Sequence, residues 1–526
     1  MPSDLVLING KILTQNPAQP TAEAIAVEEG KIAFVGTDVA VKRFVGKKTK
    51  VIDLKGRAVV PGFIDTHIHL ADYAQVLTWL DLTDVESIKQ MQALLGARVK
   101  KTPKGKWIVG RGWDEAGFAE KRLPTHEDLD AVSPDNPVIF YHKCGQICVA
   151  NGKALQTAGL TKQTVASDEG GLDKNTKTGA FTGVLRGDAT SLVWKFVPSM
   201  TDEELLEAVG LAFEKIAGSG ITSVCWIVFS TKELAIIEKL AVQKRLPLSV
   251  YIIISVDLLD KIAAFPSLNG NAASGVRIGA AMVFADGYLA TRTAAMFQPY
   301  NDAPDTNGNL LNTQEELNAT AEKVHKANLQ LIIHAAGDRG VDAALKAMEK
   351  TAGQELRNRL EQAAVLNPEI MQRIKNQDGI VSVQPLVINS EFHVYSATDS
   401  LGPNRIRYLY PLKTLVESGI KVVGGSDCPM EPLSPLLGIQ AVVTRECIPQ
   451  EQVTPEQALR MYTTDAAFAV FAENIKGTIE NGKSADLAVL SHDPRMVAPM
   501  QISKVAVHMT IAAGKIVYSN TELSNP

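Results

Sequence analysis

Cysteine is scarce in this chain. Its 526 residues carry five, an odd number scattered from Cys144 to Cys447, so a disulfide framework is excluded and a reducing, cytoplasmic setting is expected. Cys144 and Cys148 have no second Cys or His pair close by in the sequence, which argues against a zinc knuckle. Long apolar runs are missing as well, and with them a membrane span. The amino terminus, Met1-Pro2-Ser3-Asp4-Leu5, lacks the basic segment and apolar core of a secretory signal. Net charge is only -5, too little for a dedicated nucleic-acid binder. No internal repeat or low-complexity tract stands out. A chain of this length exceeds one simple core, so a large domain plus a smaller one is expected.

Strand patterning is present at both ends. Leu5-Val6-Leu7-Ile8-Asn9-Gly10-Lys11-Ile12, Ala24–Val27 and Lys31–Gly36 read as strands, and the Asn9-Gly10 and Glu29-Gly30 turns predict hairpins. Asp486–Leu490 and Ala512–Tyr518 repeat this character, with the same Gly-Lys-Ile signature. Residues 1–58 and 476–526 are therefore expected to combine into one small β-sandwich. Between them, apolar runs at Ile221–Val228, Leu248–Ser255, Val276–Phe284, Leu329–His334, Leu360–Leu366, Ile380–Leu386 and Lys421–Gly425 alternate with helix-like segments. With the run through Phe63 and Ile64 they make eight, which predicts an α/β fold, a (β/α)8 TIM barrel over residues 59–475. Residues 80–198 break the alternation with turns such as Gly110-Arg111-Gly112 and Asp168-Glu169-Gly170-Gly171. This stretch is read as a large insertion after the first barrel strand, covering the barrel mouth.

The first barrel strand runs Val59-Val60-Pro61-Gly62-Phe63-Ile64-Asp65-Thr66-His67-Ile68-His69. On an extended strand, positions i and i+2 share a face, so His67 and His69 can aim both imidazoles at one first-row metal ion. His334 ends the fifth strand and Asp427 the eighth, at the carboxyl ends where barrel enzymes place functional groups. A carboxylate at the end of a buried strand is costly unless paired or metal-bound.

The stretches Pro61–His69, His334-Ala335-Ala336-Gly337-Asp338-Arg339 and Gly425-Ser426-Asp427 resemble the amidohydrolase superfamily. Gly112-Trp113-Asp114, Thr182–Arg186, Asp286-Gly287 with Thr291–Ala294, Glu431–Leu436 and Gly482–Leu487 narrow the resemblance to its YtcJ-like branch, amidohydrolase family 3. The resemblance implies a metal-dependent hydrolase of C–N bonds in small amides, formamides or cyclic ureides and imides, with a metal-activated water. Asp427 would ligate the ion and carry the proton to the leaving nitrogen. Relatives carry a histidine where Gln362 stands, a lysine near Met282, Asp-Gly-His in place of Cys144-Gly145-Gln146, and a histidine two residues after Gln384-Pro385. The remaining set, His67, His69, His334 and Asp427, suits one divalent ion, zinc first, with iron or manganese as alternatives. Gln362, Asp286, Arg292, Asp338, Arg186 and Trp113 are candidates for substrate contact or ligand support. A heterocycle deaminase on the same site, or an amidohydrolase-like binding protein without catalysis, are the competing readings. The expected partner is a small-molecule substrate, with neither nucleic acid nor membrane, and the assembly entertained is a homodimer.

Overall fold

The computed structural model describes residues 2–161, 164, 170–175, 177–270, 275–351 and 356–520. Asp168 and Glu169 of the glycine-rich turn lie outside the described residues. The chain forms two compact units, one from Met1–Tyr73 with Val209–Pro526 and one from Ala74–Ala208.

The first unit contains an eight-stranded parallel sheet that nearly closes on itself. In chain order its strands are β1 (Phe63–Ile68), β2 (Ile221–Val228), β3 (Ser249–Ser255), β4 (Val276–Phe284), β5 (Gln330–Ala335), β6 (Arg359–Gln362), β7 (Ile380–Val383) and β8 (Lys421–Gly424). Each pairs with the next, the arrangement of a TIM barrel. Continuous apolar sequence produces these strands because both faces are covered, so alternation is lost. Gly62 leads into β1, where a Cβ would fall 2.3 Å from the Thr222 side chain, so a side chain there would push β1 from β2. Strands β6 and β7 are shorter than their apolar runs. Gln362 and Ala363 turn to φ +69° and +45°, ending β6, and Pro385, which cannot donate to a ladder, opens a helix over Pro385–His393.

Between β8 and β1 the seam closes just past the strand ends. Ile68 bridges Cys428, Asp427 N–H donates to His67 O (2.9 Å) and His69 N–H donates to Cys428 O (3.0 Å). The approach is close enough that a Cβ on Gly425 would lie 2.5 Å from His67 Cβ and 2.7 Å from its backbone nitrogen.

The two chain ends build a four-stranded and a six-stranded sheet in the same unit. The four-stranded sheet runs Lys31–Gly36, Ala24–Glu28, Leu5–Ile8, Lys50–Asp53; the six-stranded one contains Lys11–Leu13, Ala58–Pro61, Leu487–Leu490 and Val507–Ala512. A shared core including Leu7, Ile12, Val27, Val59, Leu487 and Ile511 draws on both sheets. The hairpin expected at Glu29-Gly30 forms, with Glu28 opposite Lys31. The one expected at Asn9-Gly10 does not: Leu5–Ile8 pairs with Ala24–Glu28 and Lys11–Leu13 with Ala58–Pro61. Asn9, at φ +55°, passes the chain from one sheet to the other.

The second unit has a sheet of its own, in the order Gly170–Lys174, Phe181–Gly187, Ile147–Ala150, Val138–His142, Ile108–Trp113, Leu80–Asp81. Trp113, Phe118, Leu129 and Phe140 are wholly buried within it, so this glycine-rich stretch packs a core.

Candidate metal centre

The site begins with strand geometry. His67 lies in β1 and His69 one residue beyond it, and β1 is buried along its whole length. Both imidazoles turn toward the seam, where Asp427, at φ +58°, follows β8. Nε2 of His67 is 3.4 Å and Nε2 of His69 3.3 Å from the same oxygen, Oδ1 of Asp427. Ligand atoms held about 2.1 Å from one ion at tetrahedral angles stand about 3.4 Å apart. Both nitrogen–oxygen separations match that spacing, and these three residues are a group able to hold a metal ion. Asp65, buried behind them, accepts from the backbone N–H of His67 (3.1 Å) and of Ser426 (2.9 Å), tying the ends of β1 and β8 together.

Electrostatics reinforce the arrangement. Nδ1 of His67 is 3.0 Å from Oε1 of Glu361, a completely buried carboxylate on β6. Carboxylates in this place fix the tautomer and orientation of a ligating histidine, leaving the other nitrogen for the metal. Glu361 is paired in turn with the wholly buried Arg359 and accepts from Gln384 Nε2 at 2.7 Å. Burial works against its charge, yet Arg359 and then His67 hold it well below the ordinary carboxylate range. Burial also opposes a charged His67, but Glu361 and Asp427 lift it to about 9. Asp427 stays ionised against its burial because His67 and His69 face it. A carboxylate on each side of His67 thus gives the seam an appetite for positive charge.

The third expected histidine is engaged differently. His334 ends β5, and its Nε2 lies 2.7 Å from Oε1 of Gln362. It stands outside the group of three, although the charge of Asp427 and the position of His67 act on it. Burial pushes its pKa down, so the ring is neutral, and Nδ1 is buried with no hydrogen-bond partner among the described residues. Nε2 of Gln362 faces the Tyr410 hydroxyl (3.3 Å) and Glu391 (3.4 Å). Burial, only partly countered by Arg292, pushes Glu391 up to about 8. Phe284 and Tyr288 lie against the His334 ring, with centroids 4.7 and 5.2 Å away.

The other sequence candidates are held by neighbours of their own. Asp286 is buried and accepts from the backbone N–H groups of Ala295, Ala336 and Gly337 at 2.8–2.9 Å, joining the loops after β4 and β5. Arg292 is salt-bridged to Asp302. Asp338 opens the helix Asp338–Glu349 and accepts from Phe297 N–H at 2.9 Å. Met282 belongs to the barrel core. In the second unit, Arg186 forms a two-point salt bridge with Asp173, both bonds 2.9 Å, and Trp113 is buried, donating to Phe140 O at 3.0 Å. Glu361 escaped the sequence reading although a signal was there. Arg359 and Glu361 sit i, i+2 on a buried strand, where two charges persist only if paired.

A second group in that unit, Asp114, Glu115 and His142, stands at the ends of two adjacent parallel strands. His142 Nε2 is 3.2 Å from Glu115 and 3.6 Å from Asp114. Nδ1 accepts the Cys144 backbone N–H at 3.1 Å, which places a neutral ring's proton on Nε2, facing the carboxylates. Lys143 pairs with Asp114 as well.

A sequence model described as the amidohydrolase family matches residues 50–518. The chain is 31% identical to the putative amidohydrolase YtcJ of Bacillus subtilis, over 97% of this chain and 99% of that one. It is 25% identical to the N-substituted formamide deformylase of Arthrobacter pascens, covering 98% and 99%. Among solved structures, an uncharacterized metal-dependent hydrolase from Pyrococcus furiosus superimposes with a TM-score of 0.77 at 29% identity, covering 93% of this chain and 99% of that one.

Proposed function

This chain belongs to the amidohydrolase family, and from that premise we propose that it hydrolyses a C–N bond of a small, non-peptide amide or formamide with one zinc-type ion bound at the barrel seam. The observation that carries the reading is the convergence of the His67 and His69 Nε2 atoms on Oδ1 of Asp427, at the carboxyl end of the barrel strands. The N-substituted formamide deformylase among the relatives supports choosing that substrate class first.

In this reading His67, His69 and Asp427 would hold the ion, and His334, with Nδ1 unpartnered, stands outside that group. When bound, the ion lowers the pKa of a coordinated water and polarises the substrate carbonyl. Glu361 keeps the Nδ1 proton of His67 in place, so that Nε2 keeps its lone pair for the ion. Asp427 takes the water's proton and returns it to the departing nitrogen. Gln362 transfers no proton, having no titratable group; its amide oxygen holds His334. Phe229, half-exposed and stacked over His69 with centroids 5.9 Å apart, gives the site an apolar rim. An uncharged amide carrying an apolar group suits that rim.

The test is turnover of N-alkyl and N-aryl formamides and acetamides by zinc-loaded protein, following the amine and carboxylate products. Asp427→Asn is expected to lower kcat at least 100-fold, the loss typical of a proton-transferring group. Ammonia release from purines or pyrimidines would establish a deaminase instead. Zinc binding without turnover of either class would favour the binding-protein reading.

A further inference from the structure

The position at the end of β6 has no donor to spare for substrate. Both polar atoms of the Gln362 amide are engaged, Oε1 by His334 and Nε2 by Tyr410 and Glu391. Hydrolysis of an amide nevertheless builds negative charge on the carbonyl oxygen, and a preorganised donor there is among the largest single contributions to such catalysis.

Tyr288, in the loop after β4, carries a phenol beside His334. The ring lies edge-on to His334, with centroids 5.2 Å apart and an interplanar angle of 61°. Tyr288 is 47% exposed, and its hydroxyl has no hydrogen-bond partner among the described residues, while its backbone is held at several points. Its N–H donates to Thr293 Oγ1 at 3.0 Å, and its carbonyl accepts the N–H groups of Thr293 and Ala294 at 3.1 Å. Asp286, two residues earlier, is fastened to the loop after β5 by the three backbone bonds described above. The loop is therefore a rigid mount, which is what a positioned donor requires. Apolar cover for His334 is already provided by Phe284 at 4.7 Å, so packing alone does not call for a hydroxyl beside it.

We propose that the phenol of Tyr288 donates a hydrogen bond to the carbonyl oxygen of the scissile amide as charge develops on it, making Tyr288 a catalytic residue. The proposal rests on the hydrolase reading, yet its test separates the two. Tyr288→Phe keeps the ring against His334 and removes only the hydroxyl. In the zinc-loaded full chain, kcat on a formamide substrate is expected to fall about 100-fold or more, the usual cost of losing one oxyanion donor, while KM and zinc stoichiometry stay within twofold. Binding of acetohydroxamate, a metal-directed carbonyl mimic, provides a second readout that needs no turnover. It is expected to weaken at least tenfold in Tyr288→Phe when measured by calorimetry. Retention of kcat within threefold, or unchanged acetohydroxamate affinity, overturns the proposal. Absence of any amide turnover in the wild type overturns the hydrolase reading instead, and the hydroxamate comparison still decides whether the phenol meets a ligand oxygen.

Discussion

Replacing Glu361 by glutamine removes one negative charge from a place where two positive partners depend on it. Glu361 and Arg359 are both fully buried and paired, and Oε1, which also accepts from Gln384 Nε2, lies 3.0 Å from His67 Nδ1. Breaking a buried pair by removing one member leaves the other unpaired in low dielectric and costs about 3–5 kcal/mol. Glutamine still offers an oxygen to Nδ1 but no charge, and losing such support for a ligating histidine costs about 10–100-fold in metal affinity, equivalent to about 1.4–2.8 kcal/mol. Two measurements follow: a zinc titration by calorimetry, and the thermal midpoint of the metal-free protein. Zinc affinity should fall by that factor and the midpoint should drop. The pH profile adds an independent sign. The folded pKa of Glu361 lies below its ordinary value of 4.5, so its stabilisation is present above that value and lost as pH falls below it. The variant should therefore lose less stability than the wild type on acidification. Arg359→Met in the Glu361→Gln background should recover part of the midpoint without restoring zinc affinity, because no buried charge is then left alone. Zinc affinity unchanged within threefold in Glu361→Gln would refute the reasoning that this carboxylate orients His67.

Further expectations concern the seam and the buried carboxyl beyond it. Gly425→Ala places a methyl 2.5–2.7 Å from His67 atoms, so it should force β1 from β8 and weaken zinc binding at least tenfold in the same titration; unchanged affinity would mean the seam yields freely. Glu391 has a folded pKa raised to about 8 from 4.5, so the folded state binds its proton more tightly and stability falls as pH rises between those values, by up to about 5 kcal/mol. Glu391→Gln should accordingly raise the thermal midpoint above wild type at pH 8.5, with the difference shrinking toward pH 5. Chelator-stripped protein should regain thermal stability on adding zinc, and His67→Asn with His69→Asn should abolish that gain, read by scanning calorimetry.

Much of the fold was legible because the signals are local. A strand covered on both faces must be apolar throughout, so the runs Ile221–Val228 and Val276–Phe284 announced themselves and match their strands. In the structure Thr313 caps the helix Gln314–Lys326, with Glu316 completing the capping box. The Asn9-Gly10 turn misled because turn chemistry fixes the local bend, not which strand is met next. In the second unit, glycine-rich sequence concealed a sheet whose partners are set by long-range pairing.

The site divides in the same way. Sequence by itself determined that His67 and His69 share a strand face and that His334 and Asp427 end strands, because side-chain direction alternates with fixed period along an extended chain. Only the tertiary structure decided that the β1–β8 seam brings Asp427 to both imidazoles while His334 turns its Nε2 to Gln362. It also placed Glu361 behind His67 and Tyr288 beside His334. Those pairings join residues far apart in the chain, and their distances follow from how the barrel closes and its loops pack, which no local periodicity encodes.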